Sequence, residues 1–502
     1  MDYLLAHDVG TTGCKAAIVT IDGQLLATAH ETYPTYYPHP LWSEQAPEDW
    51  WRAIVLSTRR VMEASGVRAE QILGMGFSTT MTNIIALDAQ GQLLRPCIYW
   101  LDGRAGVEAQ IIMRKLGGEK IFNLLLGGTV SGKDLLPKYL WLKRNEPETY
   151  QQAAAFLDAS GYLLNRATGR LIYEWSVASG LGLFNLKTKT WETRMMRFFG
   201  LDAQKFPALV GSAEPCGGLR PEAAAELGLL AGTPVFAGAG DPMIAAVGSG
   251  TVMEGEAFLN LGTSAFIGVI TNRRVSGRRG LVTLQSADPD KLLLFGETST
   301  AGACLEWATR AIYSADPEAA TFAGMNRDVD QAEPGAGGLI FTPWMYGERC
   351  PVPDESLRAA FINLGVNHTR QQMARAVYEG IAFNLRWILD SIKELYGFSC
   401  ETLRVLGGGA RSLPWLRVIA DITGRRLEVL PNPQERLAVG AALVAAVGLG
   451  LYPSLEAIKP LVLVEHVIEP DFAKRAIYER NYAAYRQVYR SLRGLYHQLN
   501  RA

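Results

Sequence analysis

Asp241 ends a run of small residues, Gly238-Ala239-Gly240, and is followed by Pro242 and the apolar stretch Met243 to Gly248. Pro234 to Phe236 read as a short buried strand, and the stretch after Asp241 reads as a helix. Asp241 therefore stands where a strand stops and a helix starts, a common ligand position in α/β proteins. Two roles suit it about equally on local sequence. Asp is a favoured N-cap and Pro a favoured first helical residue. A lone carboxylate among small residues, which let backbone or substrate come close, also suits a catalytic base.

Three other stretches offer binding chemistry. Asp8-Val9-Gly10-Thr11-Thr12-Gly13 lies between two apolar runs, Tyr3 to His7 and Lys15 to Val19. Such a turn presents backbone N–H groups and two hydroxyls to an anion, and Asp8 beside it could hold Mg²⁺ directly or through water. Taken alone it is equally a polar hairpin tip. Asn260-Leu261-Gly262-Thr263-Ser264 replays the pattern, again between apolar strands. The repeat implies an ancient duplication, with two turns facing one another and clamping the phosphates of a nucleotide. Gly407-Gly408-Gly409-Ala410, after the strand Leu403 to Leu406, leaves room for a base or ribose against the backbone, or makes a tight βα turn. Trp100-Leu101-Asp102-Gly103-Arg104 combines an aromatic face with a carboxylate and a guanidinium. That suits a polyol pocket, or a plain ion pair at a helix start.

The elements that must position these groups are legible as patterns. Residues 47–64 read as a helix and Ile72 to Phe77 as a strand. Ile84 to Leu87 and Gln92 to Leu94 read as a hairpin around Asp88-Ala89-Gln90-Gly91. Thr369 and Gln372 form a capping box for a helix whose apolar face runs Met373, Val377, Ile381, Leu385 and Ile388. Ser412 caps a helix over 414–423, residues 435–449 form a helix packed close to a sheet, and 475–500 form a solvated surface helix. Gly127-Gly128-Thr129-Val130-Ser131-Gly132-Lys133-Asp134 nearly matches a phosphate-binding P-loop. It lacks the final Ser/Thr, and Pro137 is expected to disrupt the helix that should follow.

The 502 residues suggest two or three domains. A net charge of -1 gives no electrostatic case for nucleic acid or an anionic membrane. The six cysteines are scattered without metal-ligand spacing, which fits reduced thiols in a cytoplasmic protein. Neither a signal peptide nor a membrane-spanning run is expected.

These stretches, in this order, resemble the FGGY carbohydrate kinases, most closely the xylulokinase branch. The resemblance runs from Asp8 to about Gly450. It is carried by Gly238-Ala239-Gly240-Asp241, Asn260-Leu261-Gly262-Thr263-Ser264, Gly407-Gly408-Gly409-Ala410-Arg411-Ser412 and Tyr378-Glu379-Gly380-Ile381. It implies an α/β fold of two ribonuclease-H-like, actin-like ATPase domains around a central cleft. The expected division is 1–249, a sugar-binding domain carrying the base, and 250–502, a nucleotide-binding domain. It implies ATP and Mg²⁺, with Asp241 as catalytic base and Asp8 and Asp241 on the metal side. Met81, Thr82, Trp100, Asp102 and Asp241 would bind substrate. Thr11, Thr12, Gly262 and Thr263 would bind the phosphates, and Gly408, Gly409 and Ala410 the adenosine.

Four departures from the family pattern stand out. Met81-Thr82-Asn83 replaces Met-His-Gly, Pro242 replaces Asn, Asn363 replaces a signature Gly, and Leu135 stands where Ser, Thr or Pro is usual. The first alters a sugar contact, so D-xylulose competes with other pentuloses, polyols and sugar acids as acceptor. The partners implied are a small sugar or polyol and ATP, without nucleic acid or membrane; a homodimer is compatible with the chain. An actin- or chaperone-type ATPase would share the clamp but needs a client-binding domain. A sugar-sensing regulator would need a DNA-binding module.

Overall fold

The computed structural model describes residues 1–118, 130–275, 277–316 and 318–500. Two seven-stranded sheets organise the chain. The elements used below are β1 (Tyr3–Val9), β2 (Gly13–Thr20), β3 (Leu25–Thr32), α1 (Pro47–Ser65), β4 (Ile72–Thr79), α2 (Leu135–Asn145), β5 (Pro234–Phe236) and α3 (Asp241–Gly248) in the first half. The second half contributes β6 (Ala257–Leu261), β7 (Ala265–Thr271), β8 (Leu292–Thr298), α4 (Arg370–Tyr396), β9 (Thr402–Leu406), α5 (Leu413–Thr423), β10 (Arg426–Val429), α6 (Arg436–Gly448) and α7 (Arg475–Leu499).

The sheet orders show the duplication directly. β3-β2-β1-β4-β5 in the first sheet matches β8-β7-β6-β9-β10 in the second. In both, the first three strands form an antiparallel meander, and the next two add in parallel. α1 and α4 occupy the same place in the order, as do α3 and α6. Parallel pairs require crossover connections, and α1 and α4 lie in those that lead from the meander to β4 and β9.

α3 and α6 join the halves. A Cβ on Gly440 would come within 2.5 Å of the Ile244 carbonyl, and one on Gly248 within 2.1 Å of the Arg436 carbonyl, so the two helices touch backbone to backbone. Their apolar side chains share one core with Leu4, Ala6 and Ala17 of the first sheet and Phe258, Phe266 and Leu406 of the second. At the C-terminus of α3, buried Arg436 donates to the Gly248 carbonyl (2.7 Å) and Arg404 to the Ser249 carbonyl (2.8 Å), where cations favour the helix dipole.

Most pattern-based elements stand where expected, including the Thr369–Gln372 capping box and the Ser412 cap. Three expectations need correction. Ile85–Leu87 pairs with Ala155–Leu157, and the anticipated return strand amounts to one bridge between Leu87 and Leu93. Pro137 does not disrupt α2; it falls in the first turn, where a helix has no use for the missing N–H. Gly127, Gly128 and Thr129 of the P-loop look-alike lie outside the described residues. α7 is not simply a solvated helix: its charged residues face out, while Tyr478, Tyr482 and Tyr485 are buried against Phe383 of α4. The Asn363 departure has a backbone reason, since its φ of 69° is a left-handed conformation that Asn tolerates nearly as Gly does.

Candidate active site

The residues singled out by sequence gather where the turn-bearing ends of the two sheets meet. On the first sheet, Asp8 of β1 is in register with Lys15 of β2 and Ser78 of β4, so all three lie on one face. Lys15 reaches across and donates to the Gln434 carbonyl of the other half (2.6 Å). Burial pushes the Asp8 carboxyl above its ordinary range, against the pull of Lys15.

Asp241 is the first residue of α3, and the N-cap is Gly240, with no side chain capping the helix. The capping role is thereby excluded. Its carboxylate makes no hydrogen bond to another described residue. Burial, then the charges of Asp8 and Glu297, raise its carboxyl to about 8. An acid that holds its proton this firmly becomes a capable proton acceptor once ionised. The chain before it is held from behind. Gly240 N–H donates to Ser176 Oγ (3.0 Å), and buried Glu174 accepts from the N–H groups of Ser176 and Val177 and from Ser212 Oγ.

The small residues before Asp241 serve the protein's own packing. A Cβ on Gly238 would fall 1.7 Å from the Phe77 carbonyl, and one on Gly240 2.6 Å from Met81 Cγ. They admit β4 and Met81, so of backbone and substrate it is the backbone that they let come close. Met81 is correspondingly a wall packed over Gly240, in contact with both neighbouring cores.

Both turns tie their carbonyls back. In the first, Tyr33 Oη donates to Gly10 O (2.6 Å) and Gln45 Nε2 to Thr11 O (3.0 Å), while Tyr33 N–H donates to Thr12 O (3.2 Å). In the second, Gly302 N–H donates to Gly262 O, and Ala301 and Ala303 N–H to Thr263 O, at 2.9–3.0 Å. The N–H groups of Thr11, Thr12 and Thr263 have no acceptor among the described residues. Oriented, unpaired N–H groups of this kind are chemically suited to an anion.

The glycine turn resolves into separate roles. Gly407 has φ of 90°, and a Cβ there would meet the Leu261 carbonyl at 2.6 Å; one on Gly409 would meet Trp415 at 2.4 Å. These two glycines are needed for packing. Gly408 is exposed, and a Cβ there meets only the tip of Gln434 at 3.1 Å. Ala410 is buried, so only its backbone can face a ligand.

Trp100 lines the first lobe's side, with Nε1 donating to Thr11 Oγ1 (3.3 Å). Asp102 does not serve as a pocket carboxylate. It is fully buried, and its oxygens accept from Arg104 Nε and Nη2 (2.7–3.0 Å), Arg104 N–H (3.0 Å) and Ser43 N–H (2.6 Å). The plain ion-pair alternative is the one found.

Sequence reasoning overlooked the other wall. Glu297 is the penultimate residue of β8 and pairs with Arg349 Nη1 (2.5 Å), whose guanidinium lies 5.6 Å from the Trp100 ring centre across the cleft. Buried Glu348 ties the end of β8 to α4, accepting from Ser299 N–H (2.8 Å), Arg349 N–H (2.7 Å), Thr298 Oγ1 (2.8 Å) and Asn384 Nδ2 (2.9 Å). The available signal was Glu297 placed after the apolar run Leu292 to Phe295, as Asp8 is placed after Leu4 to Ala6.

This duplicated topology is that of the actin-like ATPase fold, whose two lobes face a common cleft. The chain belongs to the FGGY family of carbohydrate kinases: the family's N-terminal domain model matches residues 3–248 and its C-terminal domain model residues 257–449. It is 33% identical to a xylulose kinase of Bacillus subtilis over 91% of this chain and 90% of that one. Among solved structures it resembles a xylulose kinase from Rhodospirillum rubrum (TM-score 0.88, 27% identity, 99% of this chain and 100% of that one). It also resembles a gluconate kinase from Lactobacillus acidophilus (TM-score 0.89, 25% identity, 99% of each). The protein is therefore a sugar kinase, a phosphotransferase that uses ATP.

Proposed function

We propose that the protein transfers the γ-phosphoryl group of ATP to the primary hydroxyl of a small neutral ketose, D-xylulose giving D-xylulose 5-phosphate. The single observation that carries this is Asp241, an unpaired carboxylate with a raised proton affinity between two anion-binding turns. Full-length similarity to xylulose kinases supports the choice of sugar. A sugar acid is the second reading, favoured by the gluconate kinase likeness. Against it, the Arg349 guanidinium beside Trp100 is already neutralised by Glu297.

In this reading residues 1–249 hold the acceptor sugar and 250–502 the nucleotide. Trp100 offers the sugar its ring face, and Thr82 a hydroxyl. Thr11, Thr12, Gly262 and Thr263 bind phosphates, and Gly408, Gly409 and the Ala410 backbone face the adenosine. Asp241 accepts the proton of the attacking hydroxyl as the oxygen–phosphorus bond forms and the bond to ADP breaks. The turn N–H groups stabilise charge on the transferring oxygens. No group of three or more His, Cys, Asp or Glu could hold a metal among the described residues. Two carboxylates nonetheless fit Mg²⁺, which keeps waters and substrate phosphates as ligands. Asp8 and Asp241 would hold it, and when bound it neutralises phosphate charge.

The test is ADP release from MgATP across pentuloses, polyols and sugar acids. D-Xylulose is expected to give the highest kcat/KM. Asp241→Asn is expected to lose on the order of 10³-fold or more in kcat, with nucleotide affinity nearly unchanged. Full turnover in that variant removes Asp241 as base, and gluconate outrunning D-xylulose moves the reading to a sugar-acid kinase.

A further inference from the structure

Thr82 has φ of 61°. This left-handed region suits Gly and crowds a β-branched side chain. Such strain persists only where the surroundings over-determine it, and it clusters at ligand sites. The surroundings here are specific. Lys138 of α2 is fully buried, and its Nζ donates to three carbonyls: Tyr99 (2.8 Å), Thr82 (3.2 Å) and Trp100 (3.5 Å). Asn83, also fully buried, donates from Nδ2 to Thr80 O and Oγ1 (3.0 Å each), and its Oδ1 accepts from Trp100 N–H (3.1 Å). The two side chains bind the 80–83 loop to the Trp100 loop from behind. The Thr82 hydroxyl itself has no hydrogen bond among the described residues, and the residue is half-exposed.

A buried ammonium is costly unless its donors are satisfied. Three carbonyls match the three donors of Lys138. Burial pulls the Lys138 ammonium down, to about 7, even though the Asp102 carboxylate, held by Arg104, is the main charge opposing that shift. Asp102 thus serves the pocket indirectly, by favouring the charged form of the lysine that gathers the two loops.

We propose that Lys138 and Asn83 are positioning residues for the acceptor pocket, holding Thr82 in a strained backbone conformation that leaves its hydroxyl free to bond an oxygen of the sugar. This rests on the kinase reading above. It adds that the strain is retained for ligand contact, and that the loop is pre-organised before substrate arrives.

The experiment compares Thr82→Ser, Thr82→Ala and Thr82→Gly, each scored for sugar KM, ATP KM and melting temperature, with the best acceptor of the panel as substrate. Thr82→Ser, which keeps the hydroxyl, should stay within about threefold of the unmodified sugar KM. Thr82→Ala should raise it about tenfold, the worth of one hydrogen bond, with ATP KM unchanged. Thr82→Gly should raise sugar KM similarly while raising the melting temperature, because strain is released. Lys138→Met should raise sugar KM about tenfold in the unmodified enzyme but under threefold in the Thr82→Gly background, where nothing strained remains to be held. Asn83→Ala, measured the same way, stands in if Lys138→Met does not fold.

Equal sugar KM for Thr82→Ser and Thr82→Ala overturns the proposal, as does a lower melting temperature for Thr82→Gly or the same Lys138→Met penalty in both backgrounds. An unmodified enzyme that no sugar stimulates overturns the kinase reading and this proposal with it. A stimulated enzyme indifferent to Thr82→Ala overturns this proposal alone.

Discussion

The turn between β1 and β2 and the turn between β6 and β7 share a backbone and differ in charge. Each follows a buried strand, each has its carbonyls tied back, and each leaves threonine N–H groups unpaired. Two residues before the glycine, however, the first lobe has Asp8 and the second Asn260. Asp8 sits beside Lys15 on its own face of the sheet, whereas Asn260 is in register with Phe266 and lies under Gly407, whose added Cβ would fall 2.7 Å from its Oδ1. The duplication kept the anion-binding backbone twice and the acid once. A triphosphate is strongly negative, so a second carboxylate beside it would repel what the N–H groups attract. The difference supports the proposal that catalysis and metal belong to the first lobe and nucleotide binding to the second.

Making the first turn resemble the second gives the largest expected effect. Asp8→Asn should lower kcat on the order of 10²–10³-fold while ATP still binds, as read by steady-state kinetics beside a nucleotide-binding assay. A kcat within threefold of normal would make the two turns functionally equal and end the comparison. The reverse change, Asn260→Asp, places a like charge against the phosphates and should raise ATP KM about tenfold with sugar KM unchanged.

Gly408→Val asks whether the exposed glycine of the second lobe faces the nucleoside. ATP KM should rise several-fold, with melting temperature nearly unchanged because a Cβ added there meets only the tip of Gln434. Movement of sugar KM alone would show that the wrong ligand had been placed there.

The smallest effect concerns stability. Asp241 has a folded-state affinity for its proton raised to about 8. Between the ordinary carboxylate range and pH 8 the folded protein holds a proton that the unfolded chain releases, so this group's contribution to stability is lost as pH rises through that window. Asp241→Asn removes the penalty. In metal-free, nucleotide-free buffer its melting temperature should exceed that of the unmodified enzyme by about 1–3 °C at pH 8, and the gap should close towards pH 4. A gap that widens as pH falls would contradict the electrostatic account of Asp241.

The strands, the capped helices and the repeated turns were legible because each is a local pattern. Alternation and apolar runs mark strands, Thr369 with Gln372 marks a helix start, and Gly-Thr-Thr replayed as Gly-Thr-Ser marks a duplication. The errors arose where a partner came from far along the chain. Ile85–Leu87 chose Ala155–Leu157, some seventy residues on, over its nearer neighbour. α7 buried a row of tyrosines on α4 that its charged composition concealed. Asp102, read as a sugar ligand, was claimed by Arg104 and Ser43.

By itself, then, the sequence determined the two-lobed α/β architecture, the family, and Asp8 and Asp241 as the acids worth watching. Residue type, spacing and backbone propensity carry that information, and all three are properties of short stretches. Only the tertiary structure decided which acid is paired and which is free. It denied Asp241 a cap and gave it Asp8 and Glu297 as neighbours, it put Arg349 opposite Trp100, and it bent Thr82 into a left-handed conformation over Lys138. Each of these depends on burial and on charges brought together from distant parts of the chain, and desolvation has no counterpart in a linear string of residues.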